Sequence, residues 1–144
     1  MLILKHIMSI AVVSVALCTA SLSQETPSSS PPVIERNATA QTGKNVRIGV
    51  LLNVHKDCSS GPLPVVILIK GPSHGNVQVR RAKATVTNVA NCLAMQVPAY
   101  VVFYKSYPGF SGTENLELEV RNAETGAVRV QKISVTVSGT GIEL

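Results

Sequence analysis

From Val33 onward, apolar and polar residues alternate with a period of two, and glycine, proline and asparagine interrupt the pattern about every ten residues. Val46, Ile48, Val50, Leu52 and Val54 alternate with Arg47, Gly49, Leu51 and Asn53. Leu116, Leu118 and Val120 alternate with Glu117, Glu119 and Arg121. A period of two puts successive side chains on opposite faces of an extended chain, so each stretch predicts a half-buried strand. No stretch after residue 32 repeats at the helical spacing.

Other segments fill in the pattern. Leu63 to Ile69 (LPVVILI) is a continuous apolar run between Gly61-Pro62 and Gly71-Pro72, which predicts a central strand rather than a helix. Gly71 to Asn76 has turn chemistry and leads into Val77-Gln78-Val79-Arg80. Strands are also expected over Ala84 to Val89, Ala99 to Lys105 and Ala127 to Val137. In the last of these, Val128 and Val130 share one parity while Ile133, Val135 and Val137 share the other, which predicts a β-bulge near Gln131-Lys132. About seven to eight closely spaced strands give the expected fold class: an all-β, immunoglobulin-like antiparallel β-sandwich.

The N-terminal residues read differently. Lys5 and His6 precede an apolar run from Ile7 to Leu17, followed by small residues suited to cleavage after Ala20 or Ser23. The run is well short of the ~20 apolar residues that span a bilayer. A cleaved signal peptide over 1–23 is therefore expected, with no transmembrane span in the mature chain. Val15-Ala16-Leu17-Cys18 is a poorer fit to a lipoprotein signal, because Leu17 stands where a small residue belongs. Residues 24–32 (QETPSSSPP) form a Ser/Pro-rich flexible linker, and 33–144 the sandwich domain. The expected location is outside the cytoplasm, either periplasmic or extracellular.

The formal charge of +5 falls to +4 once Lys5 is removed, too little to call for a nucleic-acid partner. Removal of Cys18 leaves Cys58 and Cys92, which an oxidising compartment pairs as a disulfide. The rival reading of His55-Lys56-Asp57-Cys58 as a metal site lacks a second matched pair of ligands. Asn37-Ala38-Thr39 fits an N-glycosylation acceptor.

All five aromatic residues (Tyr100, Phe103, Tyr104, Tyr107 and Phe110) lie within one window. Phe103 is expected in the core and Phe110 as a plug over one end of the sandwich. Tyr107 is a loop residue, with core packing and an exposed contact both open. In the strand, Tyr100, Val102 and Tyr104 share one face, and Val101, Phe103 and Lys105 the other.

Two stretches, Gly71 to Val77 (GPSHGNV) and Tyr104 to Leu118 (YKSYPGFSGTENLEL), resemble the signature of bacterial immunoglobulin-like and cadherin-like repeats. Those repeats carry P-x-H-G-x-V and then Y-x-P-x-x-G-F-x-G-x-D-x-F-x-Y. Pro72, His74, Gly75 and Val77 match the first element. Tyr104, Gly109, Phe110 and Gly112 match the second, with Glu114 in place of the aspartate. Ser106 stands for a proline, and Leu116 and Leu118 for aromatics. The resemblance implies the sandwich fold in a single copy. The carboxylates that such repeats use for calcium are mostly missing, so neither metal nor cofactor is expected.

The densest basic cluster is Arg80, Arg81 and Lys83, read either as a partner contact or as the solvated charge of an edge strand. His74 is expected to cap its turn through a backbone hydrogen bond. His55 is expected at an exposed strand end, without a neighbour suited to general-base catalysis. No G-x-S-x-G, H-E-x-x-H or paired-carboxylate signal is present, so no enzyme is expected. The leading function is an exported, non-enzymatic module binding an unknown protein or envelope polymer, with Tyr107, Arg80, Arg81 and Lys83 as contacts. The alternative is small-ligand or metal binding, for example of copper, by His55, His74 and Met95.

Overall fold

The computed structural model describes residues 29–89 and 91–139. The signal and most of the linker expected above lie outside them. Seven strands form: β1 (Val33–Gln41), β2 (Asn45–Leu51), β3 (Val65–Lys70), β4 (Gly75–Val89), β5 (Cys92–Ser106), β6 (Gly112–Arg121) and β7 (Val128–Ser138). They build a four-stranded sheet in the order β1-β7-β6-β3 and a three-stranded sheet in the order β2-β5-β4. No helix occurs among the described residues. This is an all-β sandwich with immunoglobulin-like strand order.

One pairing departs from the antiparallel expectation. β1 runs parallel to β7, from Val33 beside Val130 to Gln41 beside Ser138. Thr42 N donates to Ser138 O at 2.9 Å, and the chain then turns across to β2 in the other sheet. β1 therefore closes the edge of one sheet and hands the chain to the other.

The core forms where the period-two faces of both sheets meet. Leu116, Leu118 and Val120 of β6 pack with Ile133, Val135 and Val137 of β7, Ile48 and Leu51 of β2, and Val102 and Tyr104 of β5. Each fully buried aliphatic side chain contributes about 1.5–3 kcal/mol relative to exposure. The Tyr104 hydroxyl is buried without a hydrogen-bond partner. Burial, and then the charge of Glu114, raise its pKa above the usual 10.0.

Three expectations are corrected. β7 pairs with β6 and β1 without any register shift, so the bulge expected near Gln131-Lys132 is absent. The strand instead keeps one phase and buries Gln131, only 1% exposed, in line with Ile133, leaving Val128 and Val130 half-buried on the outer face. Register shifts occur in other strands, among them β2, between Arg47 and Gly49. The shift in β2 brings both Ile48 and Leu51 into the core, which an unbroken alternation cannot do. Phe103 is not a core residue. It lies half-buried on the outer face of its sheet, with the Arg80 guanidinium 5.6 Å from its ring centroid.

The third correction concerns the apolar run. β3 is an edge strand, hydrogen-bonded only to β6 among the described strands. Continuous apolarity suits a strand covered on both faces, but here it lies along an open margin.

β4 and β5 form a hairpin that outruns its sheet, because β2 partners β5 only from Tyr100 to Lys105. An isolated hairpin is marginal in water. Its far end is held by the Cys58–Cys92 disulfide, which ties the β2–β3 loop to the hairpin tip. Cys92, Val97 and Ala99 are buried there. The bridge spans a sequence separation of 34, which on the chain-entropy account is worth about 4 kcal/mol. Replacing both Cys58 and Cys92 by serine is expected to lower the unfolding free energy by about that amount in urea titrations. A loss below about 1 kcal/mol would mean that the hairpin end is held by packing alone.

Candidate functional site

The chain leaves β3 in one sheet and enters β4 in the other through Gly71 to His74, and one carboxylate fixes that crossing. Glu114, near the start of β6, is buried. Its Oε2 accepts from Ser73 N at 2.7 Å, and its Oε1 from His74 N at 3.1 Å and from His74 Nδ1 at 2.6 Å. The His74 ring stacks on Phe110, with centroids 4.4 Å apart and planes 3° from parallel. His74 O accepts from Tyr107 N at 2.8 Å. Gly75 must lack a side chain, since a Cβ there would meet Tyr104 and lie 2.6 Å from Lys105 O. His74 thus holds its turn through side chain, ring and backbone together, whereas the sequence predicted only a backbone cap. Phe110 is half-buried against the core, as an end plug requires.

A second constellation lies at the other end of β6, and the sequence reading missed it. His55 Nε2 is 2.8 Å from Glu124 Oε2, and His55 Nδ1 is 2.8 Å from Ser59 Oγ. Ser59 donates to Asp57 Oδ1 from Oγ at 2.6 Å and from its backbone N at 3.0 Å. Asn53 Nδ2 donates to Glu124 at 2.7 Å. His55 therefore does have hydroxyl and carboxylate neighbours. The spacing of His55, Asp57 and Ser59 was available as a signal, but Glu124 is 69 residues away along the chain. Gly61 packs closely over the ring, where a Cβ would lie 2.8 Å from His55 Nε2.

Serine, histidine and glutamate in a row suggest nucleophilic catalysis, but the proton inventory opposes it. The serine proton is spent on Asp57, so Ser59 Oγ accepts from the ring instead of giving up its proton to it. With Ser59 and Glu124 both accepting, the ring is best satisfied when both nitrogens carry protons. The arrangement is a clasp joining the β2–β3 loop to the β6–β7 turn.

The clasp is pH-dependent. The hydrogen bond to Glu124, and then its charge, raise the His55 pKa above the usual 6.5. Hydrogen bonds from the Ser59 hydroxyl and then its backbone lower Asp57 below 3.8, and bonds from His55 and then Asn53 lower Glu124 below 4.5. The raised histidine contributes fully below 6.5, and its contribution is lost as pH rises through the higher folded value. The lowered carboxylates contribute above their usual values and lose that contribution as pH falls through the folded ones. All three are favourable between 4.5 and 6.5.

The remaining candidates are dispersed. Arg80, Arg81 and Lys83 are all exposed on β4, but strand alternation separates them. Arg80 lies on the outer face above Phe103 and donates to Gln78 Oε1 at 2.7 Å. Arg81 and Lys83 share the face of Val77 and Val79. Tyr107 is exposed in the β5–β6 loop beside His74, about 20 Å along β4 from Arg81 by strand rise. His55, His74 and Met95 do not converge, because the two histidines flank opposite ends of β6 and Met95 lies on the hairpin arm. Among the described residues, no group of three or more His, Cys, Asp or Glu is placed to hold a metal ion.

What stands out is the open side of the sandwich. On β3, Val65 is 50% exposed, Ile67 45%, Leu68 46% and Ile69 50%. Leu63, Pro64, Val65, Val66, Val79 and Tyr100 line a cleft of about 470 Å³ between the β3 and β4 margins. Large apolar residues clustered along an edge strand are a candidate contact surface. No helix among the described residues is long and apolar enough to cross a membrane.

No family model matches the chain, and no curated protein matches it. Among solved structures, a chain from the structure of PbICP-C in complex with falcipain-2 is similar at 18% identity, over 76% of this chain and 93% of that one, with a TM-score of 0.33. A likeness of that degree transfers neither partner nor activity.

Two measurements check the site chemistry. Glu114→Ala strands two backbone N–H groups and is expected to destabilise the fold by about 3 kcal/mol in urea, whereas Glu114→Gln keeps a carbonyl acceptor and loses roughly half as much. Equal losses would show that the carboxylate charge rather than its acceptor geometry matters. In an NMR titration, His55 is expected to titrate above 6.5 and to fall back towards that value in Glu124→Gln. An unchanged value in the variant would remove Glu124 as the cause.

Proposed function

We propose that this protein is an exported, non-enzymatic β-sandwich module that binds another envelope or surface macromolecule through its open β3 side. Residues 1–23 serve as the signal, 24–32 as a flexible tether, and 33–144 as the binding domain. The observation that carries this reading is the row of exposed Val65, Ile67, Leu68 and Ile69 on an edge strand. Edge strands of solitary domains are ordinarily blunted with charge, and this one is apolar for most of its length. Export is supported by the Cys58–Cys92 disulfide together with the signal-like N-terminus. The meeting of His74, Phe110 and Glu114 at one corner supports kinship with bacterial immunoglobulin-like and cadherin-like repeats.

Arg81 and Lys83 follow Val79, which lines the cleft, on the same face of β4 and remain the expected polar contacts, whereas Tyr107 lies at a separate end. A photo-crosslinking residue placed in turn at Ile67, Tyr107 and Thr136 in the native host separates these surfaces. Adducts are expected at Ile67 and not at Thr136, on the outer face of β7. Adducts at neither Ile67 nor Tyr107, or equally at all three, would overturn the binding reading. Adducts at Tyr107 alone would keep a binding module but move its surface.

A further inference from the structure

Resting on that reading, we propose that β3 recognises its partner by strand addition, accepting an extended peptide that is apolar at alternate positions and acidic at its C-terminal end.

The backbone sets the mode. β3 is bonded to β6 on one side and to no described strand on the other, so its outer edge offers the donors and acceptors that an added strand satisfies. The ladder to β6 shifts register between Leu68 and Lys70, and Lys70 carries a charge at that point. A bulge and a lysine both discourage pairing, so the usable template is Val65 to Leu68. Alternate side chains of an added strand would face the cleft between Val66, Val79 and Tyr100, where apolar groups are favoured.

Charge sets the polarity. β4 runs opposite to β3 across the open side, and Val65, Val79 and Tyr100 line one cleft. Arg81 is paired in register with Tyr100, and Lys83 follows on the same face, so the basic groups lie beyond the Val65 end of β3. An antiparallel strand added to β3 finishes at that end, which places its C-terminal residues beside Arg81 and Lys83. On the outer face, Glu119 is already bound by Arg121 at 3.0 Å. At the other end Lys70 is a single cation at the register shift, with Glu117 opposite it in the ladder, whereas two cations lie towards the Val65 end.

The same charges argue against a second copy of this chain as the occupant. Antiparallel pairing of β3 with itself would bring Lys70 of each copy towards Arg81 and Lys83 of the other.

Fluorescence anisotropy with synthetic fluorescein-labelled octapeptides tests the proposal on the mature protein. TVTVTVEE is expected to bind about tenfold more tightly than TVTVTVKK, and more tightly than the reversed EETVTVTV, with the preference shrinking in high salt. N-methylation of alternate valines is expected to abolish binding, because main-chain hydrogen bonds carry it. Ile67→Lys is expected to lose binding, and Arg81→Glu to invert the preference between acidic and basic ends. Both substitutions are at exposed positions, and unchanged thermal unfolding would show that the variants remain folded. Binding of no peptide, or equal binding of acidic and basic ends, overturns strand addition with this polarity. A dimer in light scattering that Ile67→Lys dissociates assigns the edge to a second copy and overturns the peptide assignment. If crosslinks form at Ile67 while no peptide binds, strand addition fails and the binding module stands. If neither occurs, both fail.

Discussion

The Glu114 carboxylate, sealed from solvent near the start of β6, gathers two backbone N–H groups and an imidazole from the segment joining the two sheets. Burying a carboxylate is costly unless its oxygens are satisfied, and three donors at 2.6–3.1 Å meet that condition. The bond network fixes the angle at which β3 leaves its sheet and β4 enters the next. Stacking of His74 on Phe110, and the approach of Gly75 to Tyr104, follow from that angle. So does the open side, since β3 and β4 form the two margins that the crossing sets apart.

The opposite end of the sandwich is held by different chemistry. There the β2–β3 loop is tied covalently to the β4–β5 hairpin by Cys58–Cys92, and electrostatically to the β6–β7 turn through His55 and Glu124. The His55 clasp is exposed and solvent-screened, so it orients the loop more than it stabilises the fold. The disulfide carries the stabilisation. It closes the far end of a hairpin that outruns its sheet, on which Val97 and Ala99 are buried.

Local patterns were readable in the sequence, and relations between strands were not. The alternation of Leu116, Leu118 and Val120 survives unchanged in β6 because that strand is central, with one face on the core and the other partly solvated. The apolar run at β3 misled because periodicity reports what a strand could bury and says nothing about which neighbours it receives. The two phases of β7 suggested a bulge. The alternative, a glutamine buried in line with Ile133, breaks the rule that polar side chains stay outside, and its Oε1 remains without a partner. Phe103 went wrong for the same kind of reason: Val102 and Tyr104 claim the core face, so parity sends Phe103 outward, where Arg80 covers it. His74, Phe110 and Glu114 were named from motif resemblance, and the structure supplies the bonds that make them one corner. The His55 clasp escaped notice because Glu124 is distant in sequence.

An open apolar edge is an aggregation liability, and the architecture limits it without removing it. Lys70 and the neighbouring register shift close one end of β3, and Arg81 and Lys83 on β4 place positive charge towards the other. These features leave a template of roughly four residues, too short for stable sheet-to-sheet association between copies whose ends repel. A partner strand that brings negative charge to the Val65 end meets no such repulsion. The charges that discourage unwanted pairing are then the same ones that select the wanted partner, so protection of the edge and recognition at the edge have one physical origin.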